Sequence, residues 1–288
     1  MILGAIEMKT NSVFKTEEGK NEVIKFYDEF LKKLALSYEK FYVDTKYGKT
    51  FIIASGEKSN PPLILLHGSG MNSVMWLRDI KKYSKTYRVY TVDMLGEPGK
   101  SDENRPSLSD SSYAEWLKEV FENLSVERAN VIGISLGAWL AIKFSVNYPE
   151  MVAKLVLLCP AGVGPQKISF IFKAMFYGIL GEKGINKLYY KVNGNQPIPE
   201  EMLKYQKLIG KNFKYRREII PIFSDDELKL LTMPIVLFVG AKDIMLHSDK
   251  TARRLGNLLP HAQINILPKA GHSNVNNVDK IIEWMNLQ

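Results

Sequence analysis

The chain has 288 residues, 45% of them hydrophobic and 24% charged, enough for one well-buried core with a modest insertion and too apolar for a long disordered tail. Its net charge is +8, but the lysines are dispersed and no arginine-rich run or recognition motif gathers them, so a solvated basic surface is expected and nucleic-acid binding is not. The single cysteine, Cys159, cannot form an internal disulfide, and its place between an apolar run and Pro160 marks it as a small core residue.

Residues 1–6 are apolar but lack a basic flank and are too short for a signal peptide, and no run reaches the roughly 18–20 apolar residues that span a bilayer. A soluble cytoplasmic protein without stable membrane insertion is expected. Residues 21–40 carry Val23, Tyr27, Phe30, Leu31, Leu34 and Tyr38 at spacings of three and four, which predicts an amphipathic helix. Residues 41–45 and 50–54 then alternate around Tyr47 and Gly48 as a hairpin.

From there the pattern changes to short continuous apolar runs at 63–66, 89–92, 129–134, 155–158, 235–239 and 264–267, separated by helical stretches. Runs of this kind suit strands buried on both faces, the mark of a mostly parallel sheet covered by helices. Between the runs ending at Leu158 and starting at Ile235 lies far more chain than one crossover helix requires. Helices are predicted at 170–180, 185–192 and 200–212. The expected organisation is an N-terminal helical extension at 1–40, an α/β core at 41–163 and 222–288, and a helical cap at 164–221.

The sequence Gly133-Ile134-Ser135-Leu136-Gly137 follows a strand and opens a helix. A serine on so sharp a turn needs small neighbours two residues to either side, and both are glycine. The turn raises the hydroxyl above the sheet's carboxyl edge and sets the N–H of Leu136 at a helix N-terminus facing the reacting oxygen. A serine hydroxyl needs an imidazole to take its proton and a carboxylate to fix that imidazole's tautomer. His272, in the loop after the last strand, and Asp243, just after the run 235–239, emerge at the same edge. His67, His247 and His261 are read as structural or surface residues, and Asp225, Asp226, Asp249 and Asp279 as solvated or capping groups.

Four ordered motifs, HGSG at 67–70, GISLG at 133–137, GAKD at 240–243 and GHSN at 271–274, make the chain resemble the α/β-hydrolase superfamily, and within it the capped carboxylesterase-like serine hydrolases. The resemblance runs from about residue 41 to the end of the chain. It implies an eight-stranded, mostly parallel sheet with helices on both faces, a helical cap after strand 6, and no metal or organic cofactor. It also implies a Ser135–Asp243–His272 triad, with the backbone N–H groups of Ser69 and Leu136 as the oxyanion hole.

The expected activity is hydrolysis of carboxylic esters of small to medium acyl groups through an acyl-enzyme, with a rate that falls on the acid side as the imidazole is protonated. Carbon–carbon bond hydrolysis, acyl transfer or a non-catalytic ligand-binding role stay open as alternatives on the same fold. The partner is a small acyl substrate, and the oligomeric state is open, a homodimer included.

Two features depart from the family pattern. A helix precedes the usual start of the fold, and Met94-Leu95-Gly96-Glu97-Pro98-Gly99 replaces a glycine loop that often bears an aromatic residue. The following Lys100-Ser101 resembles the end of a phosphate-binding loop, but the required first glycine would fall at Met94, which excludes nucleotide binding. In the cap, Phe170, Phe172, Met175, Phe176, Tyr177 and Tyr189 have two readings, lining an acyl pocket or burying the cap on the body. The lysines of 167–217 suit either an anionic target or solvated helices.

Overall fold

Eight strands form one sheet: β1 (Tyr38–Thr45), β2 (Gly48–Ser55), β3 (Pro62–Leu66), β4 (Arg88–Val92), β5 (Ala129–Ile134), β6 (Val152–Leu158), β7 (Ile235–Gly240) and β8 (Gln263–Leu267). The order is β1-β2-β4-β3-β5-β6-β7-β8, with β2 antiparallel to both its neighbours and every pair from β4 to β8 parallel. The computed structural model describes residues 12–273 and 275–287; the N-terminal apolar stretch and Asn274 of the GHSN motif lie outside them.

All residues of β5 and β7 are buried, as are all but the first of β3, which is why these strands read as unbroken apolar runs. The ten α-helices among the described residues are α1 (Glu17–Lys32), α2 (Leu77–Tyr83), α3 (Ser112–Asn123), α4 (Leu136–Asn147), α5 (Ser169–Ile179), α6 (Gly181–Val192), α7 (Glu200–Asn212), α8 (Asp225–Lys229), α9 (Ser248–Leu258) and α10 (Val278–Leu287). The expected eight-stranded, mostly parallel architecture is therefore present, with α5, α6 and α7 between β6 and β7.

The first helix differs from the prediction at both ends. Thr16 caps it by accepting from the Gly19 N–H, and Glu17 and Glu18 complement the positive end of its dipole. It stops at Lys32, because Tyr38 is already paired with Ser55 in the sheet. Its buried face, Val23, Tyr27 and Leu31, joins Tyr205, Ile209 and Phe213 in a second apolar cluster over Phe51 and Ile53 of β2. The helix thus braces α7 against the body. Two further ties hold the same junction: Asn72 donates to the Tyr205 hydroxyl at 2.7 Å and to the Pro98 carbonyl at 2.7 Å.

Candidate active site

Ser135 sits between β5 and α4 with φ 55° and ψ −112°, a conformation an L-residue adopts only when its surroundings impose it. The imposing bonds are on the main chain. Its N–H donates to the Leu158 carbonyl at 2.9 Å, and its carbonyl accepts from Trp139 at 3.0 Å and Ala161 at 3.2 Å. The flanking glycines are required by space. A Cβ on Gly133 would lie 2.4 Å from the Gly137 carbonyl oxygen, and one on Gly137 would lie 2.3 Å from that of Leu66.

The three side chains brought together from β5, β7 and β8 form one hydrogen-bonded line. The Ser135 Oγ is 2.9 Å from His272 Nε2, and His272 Nδ1 is 2.7 Å from Asp243 Oδ2. The other carboxylate oxygen accepts from the N–H groups of Met245 at 2.7 Å and Leu246 at 2.9 Å. Burial alone pushes the Asp243 carboxyl upward, but the imidazole and these donors outweigh it and hold it below the usual carboxylate range. An ionised Asp243 keeps the proton on Nδ1, which leaves Nε2 as the acceptor for the serine hydroxyl.

The loop after β3 runs beside this line. Gly68 is close enough that an added Cβ would touch the Ser135 Cβ at 3.6 Å. His67 is fully buried, its Nε2 accepting from the Met94 N–H at 2.8 Å and its Nδ1 2.9 Å from the Gly68 carbonyl. Burial lowers its basicity, so the neutral ring is a structural prop. His247 precedes α9 half-buried and His261 is exposed in a loop.

Glu97 is the buried group that the sequence reading left without a role. Its Oε2 accepts the Gly70 N–H at 2.7 Å and the Ser69 hydroxyl at 3.4 Å, while Oε1 lies 3.7 Å from Arg216 Nε. Arg216 comes from the segment after α7, donates to the Tyr113 hydroxyl and lies over the Tyr113 ring. Burial raises the Glu97 carboxyl to about 7 against the pull of Gly70, Arg216, Arg105 and Ser69. The loop of Ser69 is thus held by the Glu97 carboxyl group from one side and, through it, by an arginine from the segment after α7. An isolated Gly-Glu-Pro-Gly carries no signal of this, because the partner lies more than a hundred residues further on.

The segment between β6 and β7 also touches the loops of Asp243 and His272. Lys167 Nζ donates to the Asp243 carbonyl at 2.6 Å, the His272 N–H donates to the Val192 carbonyl at 2.7 Å, and Ser273 Oγ donates to Asn193 Oδ1 at 2.9 Å. Phe172, Met175 and Phe176 fit neither sequence-based reading: they are largely exposed, and α5 has no buried residue.

Cys159 Sγ, an Asp243 carboxylate oxygen and a His272 ring nitrogen lie within 4.8 Å of one another. They make a poor metal site. Burial pushes the thiol pKa well up and keeps it protonated, and the other two groups are bonded to each other.

A strained serine at a strand-to-helix turn, in line with a buried histidine and aspartate at the carboxyl edge of a parallel sheet, defines a hydrolase of the nucleophile-elbow class. The comparisons agree. The alpha/beta hydrolase fold family matches residues 61–188. The carboxylesterase YbfK of Bacillus subtilis is 34% identical over 256 residues, which cover 85% of this chain and 86% of that protein. Its crystal structure superposes with a TM-score of 0.82 over 93% of this chain and 97% of its own, at 30% identity. The structure of naproxen esterase from the same organism gives 0.83 over 95% and 99%, at 28% identity. The chain belongs to the α/β-hydrolase family.

Proposed function

We propose that the protein is a carboxylesterase that cleaves small to medium acyl esters, with Ser135 as nucleophile, His272 as base and then acid, and Asp243 as the group that orients and stabilises the imidazolium. The observation that carries this reading is the unbroken line from Ser135 Oγ through His272 to Asp243 Oδ2, at 2.9 and 2.7 Å, on an elbow whose strain leaves the hydroxyl at the sheet edge.

In this mechanism Nε2 takes the hydroxyl proton as Oγ attacks the ester carbonyl. The negative charge that forms on the carbonyl oxygen is met by the N–H groups of Leu136 and Ser69. Leu136 is the first residue of α4, so its N–H is one of the helix's unpaired first-turn donors. On the other loop the Gly70 N–H is already taken by Glu97, which supports Ser69 as the second donor. Each such donor contributes about 3–4 kcal/mol to the transition state. The imidazolium then protonates the departing alcohol, and water activated by the same nitrogen releases the acid.

Residues 164–221 serve as a cap over the site, a reading supported by their anchors at Asp243 and His272. The relatives named as carboxylesterases supply independent support for an ester substrate. A fluorophosphonate probe tests the chemistry: the native chain takes up one label at Ser135 and Ser135→Ala takes up none. A native chain that resists the probe would turn the reading toward a ligand-binding member. Labelling without ester turnover would favour carbon–carbon hydrolysis or acyl transfer.

A further inference from the structure

Helix α5 is turned the wrong way round for a helix of a water-soluble core. Ile168, just before it, and Ile171, Phe172, Met175, Phe176 and Ile179 recur at spacings of three and four, so they lie along one face. In a globular protein that stripe packs inward. Here its members are 59–84% exposed, while Phe170, Ala174 and Tyr177 on the opposite face are half-buried. The close approach of α6 explains the orientation, since a Cβ on its Gly184 would lie 2.1 Å from the Tyr177 carbonyl. Six large apolar side chains exposed to this degree present on the order of 700 Å², above what a monomer usually leaves in one patch.

The charge around the stripe identifies what covers it. Between residues 165 and 199 there are five lysines and one acid, Glu182. That acid is neutralised by Lys207 from α7. Lys173, Lys183 and Lys187 are exposed, and among the described residues none has an ion-pair partner. An apolar stripe on a helical pair that also carries exposed lysines without carboxylate partners, Lys187 of them over the Tyr177 ring at 6.0 Å, matches the interface of an anionic bilayer, where side chains enter the acyl boundary and ammonium groups remain among the headgroups. A second copy fits poorly, because a two-fold contact presents the same segment, whose one acid, Glu182, is already paired with Lys207 and leaves these lysines without a counter-charge. No helix among the described residues is long and apolar enough to cross a membrane, so the contact is with its surface.

The geometry points to α5 as a docking face for anionic phospholipid surfaces. Its position also connects docking to the site. The α5–α6 pair is rooted at one end by Lys167 on the Asp243 carbonyl and at the other by Val192 on the His272 N–H. A membrane-seated pair therefore holds the loops of the acid and the base at the lipid boundary, where ester substrates partition. The docking claim itself does not need the esterase reading, so sedimentation and turnover fail separately.

The test is co-sedimentation of the full chain with phosphatidylglycerol vesicles and with phosphatidylcholine vesicles at low salt, for the native protein and for Ile171→Asp/Ile179→Asp. The native chain is expected to pellet with phosphatidylglycerol and about tenfold less with phosphatidylcholine. The double variant is expected to lose about tenfold in phosphatidylglycerol binding while its hydrolysis of soluble p-nitrophenyl acetate is unchanged. The proposal is overturned by a native chain that stays in the supernatant, by equal pelleting with both lipids, or by a variant that pellets as well as the native chain. A native dimer that the two substitutions convert to a monomer overturns it too, by assigning the face to a second copy.

Discussion

Replacing Glu97 by glutamine keeps the shape of a buried side chain and removes its titration, and the consequence for stability follows from the structure. The folded carboxyl has a pKa of about 7, raised by burial, against 4.5 in an unstructured chain. Between those values the folded state holds a proton that the unfolded state releases. The stabilisation is therefore complete below about pH 4.5 and is lost as the pH rises through 7. The size is the pKa difference multiplied by about 1.4 kcal/mol per unit, on the order of 3 kcal/mol. Urea unfolding at pH 4.5 and pH 8 gives the change for each protein, and the native chain should lose about 3 kcal/mol more than Glu97→Gln. Asp79, which burial raises to about 6, acts in the same direction but equally in both proteins, so it cancels. Equal pH dependence in native and variant would refute the assignment of a proton to Glu97.

Gly137→Ala places a methyl group against two backbone oxygens, at 2.3 Å from Leu66 and 2.5 Å from His67, which cannot turn away as side chains can. A loss of about 2–3 kcal/mol is expected, read as a Tm lower by about 5 °C in calorimetry; an unchanged Tm contradicts the packing argument. Asp243→Asn should keep the fold by circular dichroism yet lower kcat about 10⁴-fold, because the amide no longer fixes the Nδ1–H tautomer. Asn193→Ala removes the acceptor of the Ser273 hydroxyl and two bonds that close the chain after α6. Its expected effect is about a tenfold lower kcat with KM little changed, and a pure KM effect would place Asn193 in substrate binding instead.

Much of the core was legible because buried parallel strands leave unbroken apolar runs, and because Gly133 and Gly137 answer a steric demand that no other residue meets. The ends of the first helix were less legible. Leu34 and Tyr38 continue its spacing, but Tyr38 is taken by pairing with Ser55, a contact between strands that periodicity does not encode. Helix α5 shows a different limit. Its spacing reveals one apolar face and says nothing of whether that face turns inward or outward; the close contact at Gly184 decides it. Glu97 was invisible for a third reason, since its meaning depends on Gly70, Ser69 and Arg216, which only the fold assembles.

Attack of Ser135 on an ester carbonyl is read out by turnover of p-nitrophenyl esters from acetate to palmitate by the native chain and by Ser135→Ala. Clear hydrolysis by the native protein is expected, falling by at least about 10⁴-fold in the variant at every chain length. Turnover that survives the substitution, or no turnover by the native chain, would contradict it.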